Sequence, residues 1–325
     1  LFVNVQQKIF NRTITYSERS KVSEKRITTE RSSSSVDLKV KDYIILKENI
    51  PALEVEPFVN NINNYRSTCQ FELIKIHFPG DTEYPYATTW KEVSKTIFET
   101  PRFGTELNKK SHFKKELSLL LEGVSNDSQK IDIIFQFVKS KIKWNQGFGK
   151  YTDLGTKKSY KEGIGNVADI NLNLVSMLRF AGLEANPILL STRNNGVFFF
   201  PTVKGFNYVV ASVLFPNGSL VVLDATEQYG KPNLLPLRAI NWEGRLVQKN
   251  GTSVSVDLTK QETALEDNFA SVVIDKEMNV TGMLRRKYTN LNALDFRNRY
   301  ISIKEEDLIG KIEEENGGFP NGDKI

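Results

Sequence analysis

Cys69 and His77 are the first pair in the chain whose side chains could do nucleophilic chemistry, a thiolate with an imidazole to take its proton. The sequence holds one cysteine and two histidines, the second being His112. On an extended strand, the eight residues between Cys69 and His77 would separate them by about 26 Å, so they form no dyad there. Cys69 could meet His112 through folding, but a lone cysteine in a β pattern reads first as core. So few soft ligands fit no usual zinc spacing, and no metal or cofactor is expected. A second candidate is GIGNVA at 163–168, which fits G-x-G-x-x-G/A. That motif holds a dinucleotide only after a buried strand, and here polar TKKSYKE precedes it. The turn still leads into a helix, where free amides and the dipole favour an anion or a thiolate. Asn166 and Val167, which stand at that place, can neither attack nor titrate. The third candidate is the stretch 139–161, where Lys139, Lys141, Lys143, Lys150, Lys157, Lys158 and Lys161 alternate with Trp144, Phe148, Tyr151 and Tyr160. Lysines among aromatics can hold a polyanion or stack on sugar rings. The same pattern also describes a solvated lysine face whose aromatics tuck back onto the domain.

The elements that must position these groups change character along the chain. Residues 1–87 read as β, with alternation at Val36–Lys41 and Phe71–Ile76 and breaks at Pro51, Pro57 and Pro79-Gly80. Thr89 and Glu92 have capping-box spacing before a helix with Trp90, Val93 and Ile97. A second helix is expected from Ser111 to Leu121, closed by Gly123. A third starts near Asp127 and carries Ile131, Ile134, Phe135, Val138 and Ile142 on one stripe. Asn145–Gly163 reads as a long polar loop of the kind that forms lids and binding loops. The next helix puts Val167, Ile170, Leu174, Met177, Leu178 and Ala181 on one face and ends at Gly182. Strands are expected at Ile188–Leu190, Phe206–Phe215 and Leu220–Leu223, the last two joined at Pro216-Asn217-Gly218. Ala270–Ile274 and Val280–Lys287 read as a further pair, followed by a closing helix with Ser302 and Glu305 in capping-box spacing.

Composition sets bounds. A chain of 325 residues with 39% hydrophobic and 26% charged content is that of an ordinary globular protein with two or three domains. No apolar run reaches the roughly 18 residues of a membrane span, and no signal peptide is visible. The net charge of +5 and pI near 9.0 come from interleaved bases and acids, so no nucleic-acid partner is expected. The start at Leu1 without Met and the ending NGGFPNGDKI read as those of a piece of a longer chain.

The order of elements, with GNVADINLNLVSMLRFAGLEANPILLSTR at its centre, resembles the transglutaminase-like superfamily, papain-related in architecture. In that family the signature is a Gly-x-Cys-x-Asp turn into a helix ending Leu-Arg-x-Ala-Gly. Phe206-Asn-Tyr-Val-Val-Ala is similar to the strand that carries the catalytic His, and Leu223-Asp-Ala-Thr to the strand that carries the Asp. The resemblance covers residues 105–235. The flanking β regions, including Glu48-Asn-Ile-Pro-Ala-Leu, resemble the domains of unknown function that bracket this fold in secreted or periplasmic proteins of Bacteroidetes-type bacteria.

Carried over, the resemblance places Val167 at the nucleophilic Cys, Asp169 at the signature Asp, Tyr208 at the His and Asp224 at the Asp. Valine is no nucleophile, and a phenol with pKa near 10 is a poor base at neutral pH. A three-residue loop at 216–218 would put Tyr208 opposite residue 226 and diagonal to Asp224, close enough for a phenol–carboxylate bond. A two-residue loop would put them on opposite faces. The resemblance therefore implies an α+β protein with a partial β-sandwich-like domain over 1–90, a transglutaminase-like core over 91–245 and a partial β-rich domain over 246–325. It implies a non-catalytic binding or scaffold module of the bacterial envelope, periplasmic or secreted. A peptide, glycan or partner protein would lie along Trp144, Phe148, Tyr151, Tyr160, Tyr208 and Asp224. Two alternatives stand beside it. One is a hydrolase using Cys69, His112 or a carboxylate pair; the other is an architectural segment whose cleft is filled.

Overall fold

A computed structural model of the chain describes residues 4–22, 28–69, 71–77, 84–86 and 89–315. The break expected at Pro79-Gly80 and the ending NGGFPNGDKI lie outside them. The chain divides into two compact units, Leu1–Pro57 and Phe58–Ile325.

In the first unit, β1 (Asn4–Val22) and β2 (Thr28–Leu46) form one antiparallel hairpin, with Phe10 opposite Val40 and Ile14 opposite Val36. Among the described residues it is a two-stranded ribbon with no further strand paired to it, so the expected sandwich is not seen within this unit. Alternation states which way side chains point, and does not state how many strands share a sheet.

In the second unit, Phe71–Ile74 is not strand. Only Lys75–Ile76 (β3) and Tyr84–Pro85 (β4) pair. Cys69 is exposed here rather than core. Helix α1 (Trp90–Glu99) begins at the expected capping box: Glu92 N–H donates to Thr89 Oγ1, and Thr89 N–H to the Glu92 carboxylate. Helix α2 (Lys114–Leu120) starts three residues later than its sequence suggests, and α3 (Asp127–Lys141) is capped by Asn126. A short parallel bridge joins β5 (Lys143–Trp144) to β6 (Ile164–Gly165). The stretch between them is not a free loop. It contains helix α4 (Thr156–Glu162), which lacks an apolar stripe and is capped by Gly163 in the left-handed region.

Helix α5 (Val167–Phe180) follows, and every residue from Val167 to Leu178 is buried. An all-round burial, rather than a single stripe, makes it the central helix of the unit. Its polar side chains are each paired: Asn173 Nδ2 donates to Thr156 O and Asp169 O, and Ser176 Oγ donates to Lys109 O. Gly182, at φ +86°, closes it, and Leu183 N–H donates back to Leu178 O.

The helix packs on a five-stranded antiparallel sheet of order β11-β10-β7-β8-β9. These are β7 (Ala185–Leu190), β8 (Tyr208–Leu214), β9 (Leu220–Leu223), β10 (Glu243–Val247) and β11 (Ser253–Asp257). The β8–β9 register puts Leu214 opposite Leu220 and Ala211 opposite Leu223. Phe215 and Ser219 close a three-residue loop, so Tyr208 falls opposite Thr226. Strand β12 (Glu266–Ile274) and β13 (Val280–Tyr288) form a separate exposed ribbon, followed by α6 (Asn290–Tyr300) and α7 (Glu305–Glu315). The protein is thus mixed α and β, with its core between α1, α3, α5 and the sheet.

Candidate functional site

The glycine turn is built by close approach. A Cβ on Gly165 would lie 2.6 Å from Asp169 Cβ and 3.1 Å from Ser159 Cβ, so only glycine lets β6 pass the start of α5. Asn166 is the N-cap: Asp169 N–H donates to its side chain at 2.8 Å, and Asn166 N–H donates to Asp169 at 3.1 Å. Asp169 also accepts from the N–H groups of Gly155 at 2.9 Å, Leu154 at 3.3 Å and Asp153 at 3.4 Å. Burial pushes its pKa up, and these four backbone bonds oppose that rise. Val167 is fully buried, and its N–H donates to Gly147 O. The helix terminus that could hold an external anion therefore holds the chain's own carboxylate.

Tyr208 and Asp224 meet as the register requires. The Tyr208 hydroxyl donates to Asp224 Oδ2 at 2.7 Å, and both residues are buried. Asp224 Oδ1 accepts from Thr226 Oγ1 at 2.7 Å, Asn171 Nδ2 at 3.0 Å and Thr226 N–H at 3.1 Å. Arg238 completes the group: Nε donates to the Tyr208 oxygen at 3.0 Å, and Nη2 contacts Thr226 Oγ1 at 2.8 Å and Glu227 at 2.6 Å. Burial pushes the Tyr208 phenol well above its ordinary range, with the Asp224 charge adding to it. Burial alone would weaken the Arg238 charge, but Tyr208, Asp224 and Glu227 outweigh it and hold the guanidinium protonated. The group is an uncharged phenol held between a carboxylate and a cation. Asn171, Thr226, Glu227 and Arg238 were not singled out from sequence. Arg238 lies in Leu235–Ile240, which has neither periodicity nor a motif.

Four of the six proposed binding residues come together. Trp144 packs edge-on to Phe148 at 5.6 Å, Phe148 lies 5.9 Å from Tyr208, and Asp224 bonds Tyr208. The Arg238 guanidinium sits over the Trp144 ring at 4.3 Å. Tyr160 belongs to another cluster, with His112 at 5.2 Å and Phe137 at 6.4 Å. Tyr151 lies beneath Lys150, whose Nζ donates to Phe206 O. The lysines do not form one basic face either. Lys139 is buried and donates to Gln228 O and Gly230 O, and Lys141 pairs with Glu116, whereas Lys143, Lys157 and Lys161 are exposed.

His112 faces the helical layer. Its Nε2 lies 2.9 Å from Asn173 Oδ1, and its ring packs against Phe113 and Tyr160. Since Asn173 spends its amide hydrogens on other acceptors, Nε2 carries the hydrogen. Burial lowers its pKa from 6.5, with Asn173 and Glu106 opposing and Lys157 and Lys109 adding to the fall. Because the unfolded state then binds the extra proton first, stability is fully present above about pH 6.5 and declines as pH falls below it. Thermal unfolding of the parent is expected to show that decline as pH falls below about 6.5, and His112→Gln, which keeps a donor for Asn173, to flatten it. Equal slopes in both proteins would show that His112 does not carry the effect.

Among the described residues no group of three or more His, Cys, Asp or Glu is placed to hold a metal ion. No helix there is long and apolar enough to cross a membrane. No protein-family model matches the chain, and no curated protein does. Two solved structures are similar to it. One is a candidate protease from Parabacteroides distasonis, 12% identical, covering 79% of this chain and 45% of that one at a TM-score of 0.38. The other is a candidate cysteine protease from Cytophaga hutchinsonii, 11% identical, covering 88% of this chain and 80% of that one at a TM-score of 0.29. The chain spans less than half the length of the first, and no residue assignment follows from either.

Proposed function

We propose that this chain is a non-catalytic protein of transglutaminase-like architecture, serving as a binding or scaffold module. The observation that carries the reading is the start of α5. The position that the resemblance assigns to the nucleophile is Val167, buried, with its helix terminus satisfied by Asp169 and Gly147. The position assigned to the base is Tyr208, whose hydroxyl is already bonded to Asp224 and Arg238. In this reading residues 91–245 hold the inherited core between a β region over 1–90 and another over 246–325. The paired Tyr208 group stiffens the former cleft, and Phe148, half exposed beside it, is the part left to meet a peptide, glycan or protein. The resemblance also supports a periplasmic or secreted location. The hydrolase alternative gains nothing from Cys69, which is exposed, or from His112, which is bonded to Asn173.

Thiol alkylation tests the reading. In the parent, exposed Cys69 is expected to react readily with iodoacetamide near pH 8. In a Cys69→Ser, Val167→Cys double variant the new thiol is expected to react at least about 100-fold more slowly, since a buried thiol in apolar surroundings is neither accessible nor ionised. Rapid alkylation that persists toward pH 6 would mean an open cleft with a stabilised thiolate, and would overturn the reading.

A further inference from the structure

A second site lies apart from the Tyr208 group and shares no residue with it. It is a cavity of about 140 Å³ between the start of α1, the loop from Ser191 to Phe206 and the segment Asn241–Arg245. That volume suits one six-membered ring. Its walls are aromatic. Trp90 and Phe206 pack at 5.8 Å, and Phe199 meets Trp242 edge-on at 6.3 Å. Phe199 and Trp242 are 65% and 56% exposed, so two large rings face solvent side by side. Trp242 is also held at φ +58°, a conformation bulky side chains rarely adopt. Such strain persists where the surroundings over-determine it, which is common at ligand sites.

The polar side of the cavity is built as well. Asn241 Nδ2 ties Ser191 O, Thr192 O and Gly196 O together, and Asn195 Nδ2 ties Gly205 O, so the loop wall is held in place. Arg245 lies over the Trp90 ring at 4.6 Å, and its buried Nε has no hydrogen-bond partner among the described residues. A buried orphan donor costs free energy until something accepts from it. Glu243, two residues away, also lines the cavity and accepts from Ser255 Oγ at 2.6 Å.

We propose that this cavity binds one pyranose unit of a neutral saccharide. A sugar ring has an apolar C–H face for Trp242 and Phe199, an oxygen to accept from the Arg245 guanidinium and a hydroxyl to donate to Glu243. A carboxylate ligand would satisfy Arg245 but meet the Glu243 charge, and an aromatic side chain would offer the Arg245 guanidinium no acceptor. The mixed signs of the lining therefore select a ligand that carries donors and acceptors without net charge.

Titration calorimetry on the full chain tests this, with maltotriose, cellotriose and the N-acetylglucosamine trimer as probes. At least one is expected to bind, with little dependence on salt because the ligand is uncharged. Trp242→Gly is expected to weaken that binding about tenfold or more by removing a stacking ring. It should leave the unfolding temperature unchanged or higher, because glycine adopts positive φ freely. Phe199→Ser, at a still more exposed position, is expected to weaken binding in the same direction. Three outcomes overturn the proposal: no binding by any of the three at about 10 mM, binding unchanged in both variants, or binding of N-acetylphenylalanine amide alone.

Discussion

Asp224→Ala is expected to destabilise the protein by about 3–5 kcal/mol and to lower its unfolding temperature by roughly 10 °C. The reason lies in what is left behind. Asp224 is 1% exposed and accepts from Tyr208, Asn171 and both the hydroxyl and the N–H of Thr226. Its removal takes the acceptor from a buried phenol and three further donors, and leaves Arg238 balanced by Glu227 alone. Breaking one member of a buried charged group costs far more than the group contributes as a whole. Tyr208→Phe, which removes a single hydroxyl and its bonds to Asp224 and Arg238, is expected to cost less, about 2 kcal/mol. Paired thermal and denaturant unfolding of the two variants measures the contrast. A loss below about 1 kcal/mol for Asp224→Ala would mean that the group behaves as a solvated surface pair.

Asp169→Ala is the second large effect, expected at about 3–4 kcal/mol. Four backbone N–H groups, those of Asp153, Leu154, Gly155 and Asn166, share this one carboxylate. Each buried amide left unsatisfied costs about 1–3 kcal/mol, and the longer bonds to Asp153 and Leu154 stand at the low end. The favourable meeting of a carboxylate with the α5 N-terminus goes as well. The effect has a local signature. Hydrogen exchange at residues 153–155 should accelerate more than exchange in β8, because the loop is anchored to α5 through Asp169. Uniform acceleration across the unit would mean that Asp169 supports global stability without pinning the loop.

Both predictions rest on residues whose roles differ in how far they can be read from sequence. Asp169 belongs to a local pattern: Asn166 and Asp169 have the spacing of a capping box at the start of an apolar run, as Thr89 and Glu92 do. The meeting of Tyr208 with Asp224 was conditional in the sequence, since a three-residue loop at 216–218 allows it and a two-residue loop forbids it; the structure has the three-residue loop. The burial of α5 on all sides was not accessible, since its asparagines read as a polar face until His112, α4 and β8 close on them. Helix α4 escaped for a related reason. Its residues TKKSYKE carry no apolar stripe, and its stability comes from Gly163 and from Asn173 on α5.

By itself, the sequence determined part of the local structure: the starts of α1 and α3, the Gly182 stop of α5, the apolar faces, and the presence of valine and tyrosine at positions where the resemblance expects a thiol and an imidazole. These depend on interactions within a few residues, which composition and spacing encode directly. Only the tertiary structure decided what surrounds them. Arg238 and Glu227 reach the Tyr208 phenol from a segment without motif, and Trp90, Phe199, Trp242 and Arg245 converge on one cavity from three separate stretches of chain. Contacts over such separations are selected by packing and by the need to pair buried polar groups. Alternating residues promised a flanking sandwich, yet the described strands of Leu1–Pro57 form a single ribbon. A strand's pattern fixes its faces, while its neighbours are chosen by the fold.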